Sequence, residues 1–459
     1  MDRHTFLFLP SHCAVFEIDP GMEAVLDRCR GLGAFTRESA LSGFWGQVEE
    51  ASDFFEELVS RCVIVSEATI AQDHRKSHAY PEMPVHTLVL QVTDACNLGC
   101  DYCYCRNNPT PPHSEKKMTK ATARRAVDFL FSRSGNQKAL TLVFFGGEPL
   151  LNFDLISDAV DYAREKGFHQ NKQIDFAVTT NATLLTRPII EFLAEKQISV
   201  TVSMDGGEDI HDRHRRFLNG DPSYQVIVPK IKKLLQQMAK RPVAARVTVT
   251  EGAAEDVPKT LLHLLDVGFA EAGFAPATTC DLRFQLQEAG MVNLLRHFKR
   301  LCDQFLDLAK EDKVLGFTNL IDLLVLIHQG EIKKYPCGAG SGLFCVDTGG
   351  DLYLCQRLAG NSAAHMGDIE QGVDARKAAA FREKVQTDRE PLCPSCWVRH
   401  ICAGGCYQEA LVREGTLTAP NRHYCRWIRE WTGIGLTVYA KLAIDRPDYL
   451  DRLARLRGH

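Results

Sequence analysis

The stretch "DACNLGCDYCYC" places Cys96, Cys100 and Cys103 in a C-x-x-x-C-x-x-C spacing, with Cys105 just outside it as a spectator. A short polar loop that gathers thiols is suited to soft metal ions, because the thiolate is the ligating form. Three thiolates can each take one iron of a [4Fe–4S] cluster and leave the fourth iron open, whereas zinc asks for a fourth ligand or a water. A second set runs through "CGAGSGLFCVDTGGDLYLC" and "CPSCWVRHICAGGC": Cys337, Cys345, Cys355, Cys393, Cys396, Cys402 and Cys406, followed by Cys425. Eight thiols suffice for two four-ligand sites, either two more iron–sulfur clusters or two structural zinc ions. Cys13, Cys29, Cys62, Cys280 and Cys302 stand in ordinary apolar or helical contexts and read as small buried hydrophobes.

The rest of the composition favours metal over disulfides. The first residues lack a signal peptide's cleavage pattern, and no apolar run approaches the roughly 20 residues that span a bilayer. The expected location is the cytoplasm, with no membrane partner. In a reducing compartment the excess of cysteines, 17 in this 459-residue chain, points to metal ligation rather than disulfides. A net charge of -4 offers no broad basic surface for nucleic acid.

The thiols need a frame to position them. Between residues 87 and 320 strand-like and helix-like segments alternate: "HTLVLQV", "KATARRAVDFLFSR", "ALTLVFF", "NFDLISDAVDYAREK", "QIDFAVTT", "PIIEFLAEK", "ISVTVSMD" and onward to "EAGFAPAT". Such alternation predicts a parallel α/β sheet, and about six βα units predict a partial barrel. Sites in these folds form beyond the carboxyl ends of the strands, where this chain carries the cysteines, "GGEP", "TTNAT" and "SMDGG". Residues 1–66 read as a small module in which "TFLFL" and "AVFEI" pair, helices follow, and "CVIVS" returns as a strand. Residues 67–86 are polar and aperiodic, a linker. Residues 321–459 have weak periodicity from Cys337 on, as expected of a segment organised by metals more than by a large apolar core.

"CNLGCDYC" after the first barrel strand and "GGEP" after the second resemble the radical S-adenosylmethionine (radical SAM) superfamily. That resemblance implies a [4Fe–4S] cluster on Cys96, Cys100 and Cys103, with S-adenosylmethionine chelating the open iron. It implies that Gly146, Gly147 and Glu148 lie by the cofactor's methionine amine, and Asn181, Ser203 and Asp205 by its ribose. Arg215 of "IHDRHRR" would pair with the methionine carboxylate. Asn181 and Asp205 also suit plain turn chemistry at strand ends. The later cysteines resemble the SPASM extension of these enzymes. By that resemblance Cys337, Cys345, Cys355 and Cys406 hold a first auxiliary [4Fe–4S] cluster, and Cys393, Cys396, Cys402 and Cys425 a second. The expected donor of electrons is a reduced flavodoxin or ferredoxin.

SPASM enzymes mostly modify peptides or proteins, so the expected partner is a peptide or small protein. One expectation is a maturase that forms a Cys-to-carbon thioether, similar to the quinohemoprotein amine dehydrogenase maturases. Its N-terminal module would be winged-helix-like and would bind an extended leader by strand addition. The alternative is an anaerobic sulfatase-maturating enzyme. In that family an aspartate base follows the third cysteine of the first auxiliary cluster, whereas Gln356 follows Cys355 here. A neutral Gln accepts no proton at pH 7. An iron–sulfur electron carrier is the alternative from another class, disfavoured by the cofactor loops.

Overall fold

The computed structural model describes residues 4–32, 35–44, 48–66, 84–105, 116–238, 241–389 and 392–458. Its centre is a run of six parallel strands: β3 (Thr87–Thr93), β4 (Ala139–Gly146), β5 (Gln173–Thr180), β6 (Ser199–Ser203), β7 (Ala244–Val249) and β8 (Glu271–Pro276). They lie side by side in chain order, as the alternating pattern predicts. Leu140, Leu142 and Phe144 of β4 and Phe176 and Val178 of β5 are buried on one face, toward the helices. Polar residues such as Thr141, Thr179 and Thr201 alternate with them on the other face and stay half-exposed. This is an open β/α sheet with a polar inner face.

The intervening helices are α4 (Lys120–Arg133), α5 (Phe153–Gln170), α6 (Arg187–Glu195), α7 (Glu208–His211), α8 (Tyr224–Gln237) and α9 (Val257–Val267). Long α10 (Glu288–Lys310) follows β8, and α11 (Thr318–His328) follows that. The expected division at 320/321 lies inside α11. The 67–86 linker lies almost wholly outside the described residues.

The N-terminal module departs from expectation. β1 (Thr5–Leu9) and β2 (Ala14–Ile18) pair antiparallel, and α1 (Pro20–Leu32), α2 (Arg37–Leu41) and α3 (Val48–Ser60) follow. No third strand forms among the described residues. Val63 and Ile64 of "CVIVS" instead turn back and donate to the Leu58 carbonyl, at 2.9 and 3.2 Å, closing the end of α3. The helices have a small core of their own, including Met22, Val25, Phe55 and Leu58. The hairpin end packs elsewhere: Cys13 is fully buried in the main core, with Phe8 and Val15 against it.

The C-terminal region departs more. It does not stand apart but extends the sheet. β9 (Leu343–Val346) pairs parallel with β3, and β10 (Asp351–Tyr353), β11 (His365–Asp368) and β12 (Gly372–Val373) continue antiparallel. After these come α12 (Ala375–Arg389), α13 (Arg399–Cys402), α14 (Tyr407–Glu414), α15 (Arg422–Asp445) and α16 (Pro447–Leu456). An apolar core is present as well as the thiols. Phe298 of α10 packs edge-on against Trp427 and Trp431 of α15, with ring centroids 5.8 and 5.1 Å apart. Strands of two to four residues are too short to show a period, which is why the periodicity of the sequence is weak there. No helix among the described residues is long and apolar enough to cross a membrane.

Candidate active site

Cys96, Cys100 and Cys103 lie just past the end of β3, and the loops after β4, β5 and β6 are bonded in turn to the loop that carries them. Gly147 donates to the Thr93 carbonyl (2.9 Å) and Glu148 to the Ala95 carbonyl (2.9 Å). A Cβ on Gly146 would strike the Thr93 carbonyl, and one on Gly147 the Ala95 carbonyl. These glycines therefore let the "GGEP" backbone lie directly on the cysteine loop.

Glu148, 1% exposed, works inward as a bracket. Its carboxylate accepts from the Leu150 N–H (3.1 Å), the Thr180 hydroxyl (2.7 Å) and the Asn181 N–H (2.7 Å). Burial pushes its pKa up to about 6 against those three bonds. Asn181 in turn donates to Asn97 Oδ1 at 3.0 Å, and its Nδ2 is 3.8 Å from Cys96 Sγ.

The far wall of the loop is the segment after α7. Gly99 donates to the Arg216 carbonyl (2.8 Å), Asp101 to that of His214 (3.2 Å), and Leu218 to that of Asn97 (3.3 Å). Between Cys100 and Cys103, Tyr102 donates its hydroxyl proton to Asp205 and accepts from Arg215 Nη1 at 2.7 Å. Asp205 Oδ1 also accepts from the Thr248 N–H at 3.0 Å. Burial opposes the charge on Arg215, while Tyr102, Cys100 and Asp205 hold it protonated. Its Nε is buried without an acceptor among the described residues. Ser203 ends β6 beside Arg246 of β7. Gly147, Glu148, Asn181, Asp205 and Arg215 are thus bonded, directly or through Tyr102, to the loop that carries Cys96, Cys100 and Cys103. Sequence reasoning missed Asn97 and Tyr102, although both lie inside the motif it quoted.

The later thiols gather in two places. Cys337, Cys355 and Cys406 are within electrostatic reach of one another, and burial raises the Cys355 thiol to about 12. Cys345 is fully buried within β9 opposite Val89 of β3, with Cys355 as a thiol neighbour. Cys393, Cys396, Cys402 and Cys425 line a single cavity of about 530 Å³ together with Arg399, Arg422 and Arg429. No three His, Cys, Asp or Glu among the described residues converge as ligands of one ion. Of the cysteines read as buried hydrophobes, Cys13, Cys29 and Cys302 are buried but Cys62 and Cys280 are exposed. Cys105 is held by a hydrogen bond with Cys103, which raises its pKa, with burial adding to the effect.

Two arginines face the inner side of the sheet. Arg246 alternates with the buried Ala245 and Val247 of β7 and is itself exposed to the open inner face; the protein mass around it, then the charge of Arg357, lowers its pKa to about 10. Arg357, two residues after Cys355, lies 5.7 Å over the Tyr104 ring and 3.5 Å from Thr278 Oγ1 beyond β8. Neither has a carboxylate ion-pair partner among the described residues.

The sequence profile of the radical SAM superfamily matches residues 90–265, which span β3 to α9 and hold the whole cysteine-loop floor. The chain belongs to the radical SAM superfamily. It is 43% identical over 277 residues to an uncharacterized protein, MJ0907, of Methanocaldococcus jannaschii, over 60% of this chain and 86% of that one. It is 24% identical to the serine-type anaerobic sulfatase-maturating enzyme of Klebsiella pneumoniae, over 74% of this chain and 86% of that enzyme. Two solved structures share its fold. "Native anSMEcpe with bound AdoMet" matches with TM-score 0.68 and 19% identity, over 79% of this chain and all of that one. Streptococcus suis SuiB bound to the precursor peptide SuiA matches with TM-score 0.54 and 17% identity, over 90% of this chain and 94% of that one.

Membership in the radical SAM superfamily implies S-adenosylmethionine and a [4Fe–4S] cluster. The residues present fit both. Three thiols share one loop, and burial holds Cys96 up at about 12 as a bare thiol, so ligation must displace its proton. The unmatched Arg215 Nε offers a cationic donor beside that loop.

Proposed function

We propose that this chain is a radical SAM/SPASM enzyme that matures a peptide or small protein by joining a cysteine sulfur to a carbon. In this reading residues 1–66 capture the substrate, residues 87–320 hold the cofactor, and residues 321–459 carry two auxiliary clusters. When bound, S-adenosylmethionine and its cluster supply a 5′-deoxyadenosyl radical that takes hydrogen from carbon. This chain's residues anchor those groups. Gly146 and Gly147 hold the second loop against the cysteine loop, Asn181 and Asp205 fix its sides, and Arg215 offers charge to a carboxylate.

The observation that carries the thioether reading is Gln356. It follows Cys355 directly, where a base would be needed to deprotonate an alcohol or thiol, and it takes no proton at pH 7. Arg246 and Arg357 support it. Two guanidiniums on the inner face with no carboxylate in ion-pair contact among the described residues, Glu409 acting on Arg357 only through its charge, suit a substrate that brings its own, as a Cys-to-Asp/Glu crosslink does. SuiB, described with a precursor peptide, matches over most of this chain, and that supports a peptide substrate.

Sulfatase maturation remains the second reading, favoured by relatives that carry that name across most of their length. One experiment separates the two. The enzyme, reduced anaerobically with S-adenosylmethionine, is offered a small Cys- and Asp/Glu-rich peptide, and separately a sulfatase peptide. A crosslink that costs the Cys- and Asp/Glu-rich peptide two hydrogens supports the first reading. Formylglycine in the sulfatase peptide, with release of sulfide from a cysteine, overturns it.

A further inference from the structure

Arg389 closes α12 with a side chain that is 7% exposed. Its Nη1 donates to the Ala403 carbonyl, and its Cζ lies 5.3 Å over the Tyr407 ring. Nε and Nη2 are buried and have no acceptor among the described residues. Leaving charged donors unmet in the interior is costly, so acceptors belong there in the working protein. Besides the Tyr407 ring and hydroxyl, the groups that the guanidinium acts on are thiols of both late sets. Its charge reaches Cys337 of one and Cys393 and Cys402 of the other. The backbone is shaped around it. Gly404, at φ +89°, has no room for a Cβ because the guanidinium occupies that space.

We propose that Arg389 is a positioning residue shared by the two auxiliary sites, directing Nε–H and Nη2–H at cluster sulfurs so that one cation sets the reduction potential of both. The inference rests on the reading that these thiols hold [4Fe–4S] clusters. A cluster gains negative charge on reduction, so a nearby cation and N–H donors to sulfur stabilise the reduced form and raise the potential. A guanidinium can do this for two clusters at once, because its donors point in fixed, divergent directions, whereas an ammonium is a point charge.

The test isolates the auxiliary iron. With Cys96, Cys100 and Cys103 replaced by Ala, the remaining iron is titrated by potential-controlled EPR in three proteins: this background, the background with Arg389→Gln, and the background with Arg389→Lys. The expected result is about eight irons in each. The Gln form should have midpoints lowered by at least the 59 mV that corresponds to a tenfold change for one electron. The Lys form should fall between, its charge kept and its fork lost. Full iron with unmoved midpoints in the Gln form overturns the proposal. If the Gln form loses iron, the Lys form decides: a lowered midpoint supports the proposal and an unmoved one overturns it. No auxiliary iron in the background with Arg389 intact overturns the cluster reading, and the proposal with it.

Discussion

Tyr102 is the residue on which three loops meet. Its hydroxyl donates a hydrogen bond to Asp205 and accepts one from Arg215, so it lies between a carboxylate and a guanidinium that are themselves 4.0 Å apart. Replacing it with Phe keeps the ring and removes that link. Asp205 keeps the Thr248 N–H, but Arg215 loses an acceptor while its Nε is already unmet. Tyr102→Phe should lower stability by about 1–3 kcal/mol, the cost of stranding buried polar groups, and slow S-adenosylmethionine cleavage while auxiliary iron stays bound. Thermal melts, 5′-deoxyadenosine release and iron analysis check this. At the same scale, Arg357→Gln should raise KM for an acidic peptide while S-adenosylmethionine cleavage without peptide is kept. Loss of that cleavage as well would reassign Arg357 to the cofactor.

At the scale of elements, the contact that matters most is between two loops. Because the Ala95 carbonyl occupies the place of a side chain on Gly147, Gly147→Ala must push "GGEP" and the cysteine loop apart. Overpacking of this kind costs about 1–3 kcal/mol. Here the displaced part holds Cys96, so the variant should also lose the iron of the first cluster, read as a drop of about four irons per chain. The strands on either side were legible in the sequence. β3 to β8 are apolar runs between helix-period segments, and four loops of unusual composition follow the carboxyl ends of the first four. What was not legible follows from long-range pairing. "CVIVS" has strand composition, but its N–H groups find the Leu58 carbonyl at the end of α3 before any strand, so it caps that helix. Conversely, "LFCV" is four residues long, yet β3 offers it a parallel edge and it becomes a strand. Arg389, Arg246 and Arg357 carried no signal in one dimension, because an unmatched charge is visible only once its neighbours are known. The hairpin makes the same point. Phe8 meets Trp397 edge-on at 6.0 Å, so the N-terminal module is tied to the cysteine-rich region rather than through "CVIVS". Phe8→Ala should lower peptide modification while leaving 5′-deoxyadenosine release without peptide unchanged.

Across the whole molecule the two ends of the chain's chemistry share one sheet, and they share it unequally. β9 carries Cys345 and pairs with β3, the strand that delivers Cys96; β10, which leads to Cys355, pairs with β9. The first three cysteines sit on a loop beyond β3, and no strand depends on them. Disturbance should therefore travel in one direction. Replacing Cys96, Cys100 and Cys103 with Ala should remove about four irons, abolish S-adenosylmethionine cleavage, and leave the melting temperature and the auxiliary iron nearly unchanged. Replacing Cys337, Cys355 and Cys406 with Ala should do more. Without a cluster to organise it, the segment from β9 to β11 loses the free energy that metal binding contributes to folding. β3 then loses its neighbour on that side, and its backbone hydrogen bonds to β9 are left unmet. The variant should melt lower and hold less iron in the first cluster as well, although all three ligands of that cluster are intact. Iron analysis and EPR on the two triple variants, with melts alongside, read this directly. Equal and purely local losses in both would mean that the sheet does not couple the sites, and that the auxiliary region is an appendage rather than a continuation of the barrel.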